Sequence, residues 1–143
     1  MTVPAILLPV FVQVALTFAL LIWTGSRRFS AVRGGTVRSD EVSMGERNWP
    51  APVQQVANAF SNQFELPILF YVLVALAIYT RKADLLFVVL SWVFVLTRIL
   101  HAGVYVTTNH VPQRFGAFLA GAVVLMVMWI VFAIRILAGP WPA

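Results

Sequence analysis

The chain has 143 residues, 61% of them hydrophobic and only 10% charged, with a mean hydropathy of +0.89; this excludes a water-soluble domain and places the protein in a membrane. Its net charge of +5 does not mark a nucleic-acid binder, because the basic residues are few and sit mostly in one loop. The lack of cysteine excludes disulfides, thiolate ligands and a cysteine nucleophile, and with two histidines no metal centre is expected.

A first apolar stretch covers about residues 3–25. It has no basic start, exceeds a signal-peptide core in length and runs into arginines, so it reads as a retained span. A polar loop of about residues 26–55 follows, with Arg27, Arg28, Arg33, Arg38 and Arg47 set against Asp40, Glu41 and Glu46. The second span, about residues 56–79, opens on "ANAFSNQFELP". Asn58, Asn62 and Glu65 share one helix face there by their spacing. Pro67 deprives the Gln63 carbonyl of its helical donor, which predicts a kink.

The turn "TRKAD", with Arg81 and Lys82, leads to a third span of about residues 85–106. Arg98, His101 and Tyr105 again fall on one face. After "TTNHVPQ", Arg114 precedes a fourth span of about residues 115–138, with Pro112 setting the helix start. Gly116 with Ala120, and Ala117 with Gly121, suit close helix packing. Trp23, Tyr79, Trp129 and Trp141 fit interfacial aromatic belts, and Arg135 is expected to snorkel.

No stretch alternates as a barrel strand would, so the expected fold is an all-α membrane protein, a single four-transmembrane-helix bundle. The loops after spans one and three hold six basic residues, Arg114 included, against three on the other side, Arg81, Lys82 and Arg135. The positive-inside rule then makes the long loop cytoplasmic. On this topology the three polar clusters lie at one end of the bundle. Glu65 and Arg98 are expected at similar depth, where they either lock two helices together or belong to a ligand site. With Arg114 the cluster has a surplus of positive charge, which suits an anionic polar ligand beside a lipid-facing apolar one.

These residues resemble a known family, the membrane-associated proteins in eicosanoid and glutathione metabolism (MAPEG). The likeness rests on Asn62 and Glu65 of "NQFE", on Arg98, His101 and Tyr105 of "RILHAGVY", and on Pro112 and Arg114 of "PQR". It implies a homotrimer binding glutathione between subunits near the cytoplasmic side. By that resemblance Asn62, Glu65, Arg98, His101 and Tyr105 hold the peptide, and Arg114 stabilises its thiolate. The pattern also departs from the family. Ser61 and the residues before it supply no arginine ahead of Asn62, and Phe115 and Phe118 replace a serine and a tyrosine.

Three functions follow for testing. The first is a glutathione-dependent transferase or peroxidase acting on a lipophilic small molecule. The second is a non-catalytic protein that binds membrane lipid or presents it to a partner. The third, a small transporter built on Glu65 and His101, lacks a second intramembrane carboxylate. A bacterial inner membrane is the expected location.

Overall fold

The structure, a computed structural model, describes residues 1–45 and 48–139. Glu46, Arg47 and Trp141, which entered the reading of the loop and the aromatic belts, lie outside the described residues. Five helices follow in chain order: α1 (Val3–Arg33), α2 (Ala51–Ser61), α3 (Leu66–Tyr79), α4 (Leu85–Val106) and α5 (Val111–Leu137). They make four segments long and apolar enough to cross a membrane, α2 and α3 together forming the second. No strand occurs among the described residues.

Three boundaries differ from the sequence expectation. Helix α1 continues past its apolar part through residues 26–33, because nothing between Gly25 and Gly34 interrupts the backbone bonding. The second segment starts at Ala51, where Pro50 and Pro52 flank the first helical residue. Helix α5 starts at Val111 with Pro112 in its first turn, which brings Arg114 inside the helix.

The predicted kink is a full interruption. Residues Asn62–Phe64 form a 3-10 turn, Glu65 leaves helical geometry at φ −97° and ψ −106°, and α3 restarts with Pro67 in its first turn. Without an N–H on Pro67, the α-helical ladder cannot run through this point. The buried Gln63 side chain bridges the interruption, donating from Nε2 to the Ala59 carbonyl at 3.0 Å. Gln13 of α1, fully buried, donates to Gln63 Oε1 at 2.7 Å and fastens α1 to the interruption. Without this bond two buried amides would lose a partner, which favours this register of α1 even though Gln13 Oε1 has no partner among the described residues.

The main core lies among α3, α4 and α5, where Phe70 and Phe94 meet with ring centroids 4.8 Å apart beside Leu73, Leu125 and Met128. The outward faces carry large apolar residues such as Phe11, Phe18, Ile22 and Ile130, as a lipid-facing surface requires. Lipid is as apolar as these side chains, so close packing rather than water exclusion holds the helices together. Gly121 shows how close: a Cβ there would sit 2.7 Å from Thr97 Oγ1 and 2.9 Å from Arg98 Nη2. The Gly116 and Ala120 pair faces outward instead.

Two anchoring expectations are corrected. Arg135 does not simply snorkel; it forms a two-pronged pair with Asp84, both contacts at 2.7 Å. Trp129 is half-buried against the core and Phe132 rather than sitting in a belt, eight residues before the end of α5. Tyr79 does stand exposed at the end of α3.

Asp84 also caps α4, accepting from the Phe87 N–H at 3.0 Å. The hydrogen bond from Arg135 holds its carboxyl below the usual carboxylate range. A lowered acid contributes stability above its unfolded value, and loses it as pH falls through the folded one. We expect Asp84→Ala to cost about 1–2 kcal/mol at neutral pH, from the cap and a partly exposed ion pair. Asp84→Asn, which keeps the cap, should cost less. In detergent, the midpoint difference between the two variants isolates the cap, and the difference between wild type and Asp84→Asn, which should shrink in acid, isolates the ion pair.

Candidate functional site

One face of α2 carries Gln54, Asn58, Ser61 and Asn62, and Glu65 follows at the interruption. The stripe is pre-ordered by its own side chains. Gln54 Nε2 donates to Asn58 Oδ1 at 2.6 Å, and Asn62 Nδ2 donates to the Asn58 carbonyl at 2.9 Å. The Glu65 side chain is exposed and makes no hydrogen bond or ion pair among the described residues.

This stripe forms one wall of a cleft of about 510 Å³, within the range of small-molecule sites. Arg28 and Trp49, with the guanidinium 5.1 Å from the ring centroid, and Tyr105 also line it. Arg28 reaches the cleft because α1 runs on past the apolar stretch. Sequence reading counted Arg28 only as loop charge; its place three residues after Gly25, with no helix breaker between, was the available signal. It supplies the cleft with a cation, where the stripe's own sequence carries no arginine ahead of Asn62.

A second cavity of about 240 Å³ shares Asn62 and Tyr105 with the first. Its other walls are His101, Val111, Arg114, Phe115 and Phe118, so it is mainly apolar around one guanidinium. That guanidinium is held on two sides. Arg114 Nη1 donates to Asn109 Oδ1 at 2.6 Å, and its centre lies 4.4 Å from the Tyr105 ring centroid. His101 acts from behind: its Nδ1–H donates to the Arg114 backbone carbonyl at 3.0 Å, which leaves the buried Nε2 as the unprotonated nitrogen.

Five of the six residues singled out from the sequence thus meet at one place: Asn62, Glu65, His101, Tyr105 and Arg114 line one or both cavities. Arg98 does not. Its side chain is 1% exposed, lies between the Phe94 and Phe118 rings, and donates from Nη2 to the Ala117 carbonyl at 3.2 Å. Nor does Glu65 form an ion pair with it among the described residues. Glu65 acts on Arg98 only through space. The interruption explains this, because it turns Glu65 out to the cleft instead of continuing the helix face toward α4. Asn109 was missed as well; its signal was an asparagine just ahead of a helix-starting proline, where a turn is due.

A polar cleft and a mainly apolar cavity thus share Asn62 and Tyr105, and Arg114 lines the second. Residues 6–134 match the MAPEG family. The chain belongs to the MAPEG family. It is an all-helical, integral multi-pass membrane protein of that family, which includes glutathione transferases and peroxidases. Comparison with curated proteins and with solved structures gives no match. Family members use glutathione, and the first cleft of this MAPEG protein has the donor set for it. By chemistry, Arg28 would suit a carboxylate, Glu65, without a partner among the described residues, an ammonium, and the amides of Gln54 and Asn62 peptide groups.

Proposed function

We propose that this MAPEG protein is a glutathione-dependent transferase or peroxidase for lipophilic electrophiles or hydroperoxides. In this reading it works as a homotrimer in a bacterial inner membrane, with the loop after α1 cytoplasmic. One observation carries the reading: the polar cleft and the apolar cavity share Asn62 and Tyr105, and Arg114 stands on the apolar side. Glutathione bound in the cleft would supply a sulfur nucleophile at the join. Glu65 and Arg28 orient the charged ends, and Asn62 and Tyr105 mark the boundary between the two chambers. Arg114 offers positive charge where a thiol must ionise, which favours the anion. Phe115 and Phe118 exclude water and accept an apolar co-substrate from the lipid side.

The same two phenylalanines favour a second reading, in which the apolar cavity holds a lipid and no reaction follows. A direct experiment separates the two. In detergent, millimolar glutathione should raise the unfolding temperature of the wild type, by mass action on the folded state. Glu65→Gln, which removes the ammonium partner, should abolish most of that rise without lowering the ligand-free midpoint. Conjugation of a generic aryl electrophile should accompany the shift. No shift and no turnover would sink the enzyme reading and leave lipid binding.

A further inference from the structure

The arginines of this chain are not held alike. Arg38 and Arg135 are each drawn onto a carboxylate, 3.0 Å from Asp40 and 2.7 Å from Asp84. Arg114 has a neutral partner, the Asn109 amide oxygen at 2.6 Å. An amide oxygen fixes a guanidinium in place without cancelling its charge, whereas a carboxylate does both. The guanidinium also lies over the Tyr105 ring, 4.4 Å from its centroid, and lines the second cavity.

Asn109 has a second task that can be separated from the first. Its φ is +50°, a left-handed conformation that asparagine adopts more readily than most residues. In that conformation its own N–H donates to the Val104 carbonyl at 2.7 Å and closes α4. The backbone thus ends one helix while the side chain sets the arginine of the next.

We propose that Asn109 is a positioning residue, which holds the Arg114 guanidinium on the wall of the second cavity with its charge left free for an anionic ligand. The catalytic part of this inference rests on the glutathione reading above; the positioning part does not. Glycine takes the left-handed conformation freely, so Asn109→Gly removes the amide and keeps the turn. Asn109→Asp keeps the side-chain size and places a negative charge on Arg114.

The test uses the full chain in detergent. Without glutathione, an arginine-specific dicarbonyl should modify Arg114 several-fold faster in Asn109→Gly than in the wild type, read by mass spectrometry of the peptide. An unchanged rate, in a variant whose unfolding midpoint is preserved, overturns the proposal. With glutathione, Asn109→Gly should lower kcat about tenfold at nearly constant KM, as loss of an orienting partner does. Asn109→Asp should move the titration of the thiolate ultraviolet band upward by about one pH unit. If the wild type shows no thiolate band while the modification rate still rises, the glutathione reading fails and the positioning stands. If the band titrates identically in all three proteins, the charge argument is overturned. Asn109→Gly carries the test by itself should Asn109→Asp fail to fold.

Discussion

Replacing Arg114 with alanine is expected to lower kcat for conjugation by about 100- to 1,000-fold, the loss typical of removing one preorganised charge donor. The KM for glutathione should change little, because Arg28 and Glu65, which we assign to the peptide ends, lie in the other chamber. The fold should survive. The Arg114 side chain is half-buried, and the backbone carbonyl that His101 holds is present in any residue. Arg114→Lys should recover only part of the loss, since a single ammonium cannot both lie over the Tyr105 ring and reach Asn109 as the broad guanidinium does. Side-by-side kcat values for the three proteins decide the matter. Equal rates would remove Arg114 from the chemistry.

The largest stability effect is expected at Gly121. A methyl group there would meet Thr97 Oγ1 at 2.7 Å and Arg98 Nη2 at 2.9 Å, closer than real contacts allow. Either α5 moves away from α4, or Arg98 leaves its bond to the Ala117 carbonyl. Gly121→Ala should therefore cost about 3 kcal/mol, combining overpacking with loss of a charged hydrogen bond. Adding Arg98→Met should recover much of this, because the flexible thioether yields to the methyl and no buried charge remains. Unfolding midpoints of the single and double variants give the coupling. A wild-type midpoint in Gly121→Ala would mean that Arg98 is not held where the structure has it.

The bundle itself was legible because membrane spans announce themselves by length and apolarity. The convergence of Asn62, His101, Tyr105 and Arg114 followed from helical spacing once the spans alternated in direction. Two things were not legible. Pro67 foretold a kink, but not that the chain leaves the helix at Glu65, an interruption fastened to α1 by the pairing of Gln13 with Gln63. Gln13 lies 50 residues earlier, and no local pattern links the two. Arg28 was hidden for a related reason. A helix that outruns its apolar stretch looks, in sequence, like the start of a loop.

That overrun has a mechanical consequence. From Gln13 to Arg28, α1 is an unbroken rod of roughly 22 Å, so each degree of tilt about the Gln13 clamp moves its tip by about 0.4 Å. Arg28 rides near that tip and lines the cleft, as do Asn62 and Glu65. The width of the cleft is therefore tied to the angle at which α1 packs on its neighbours, and a small change there is magnified at Arg28.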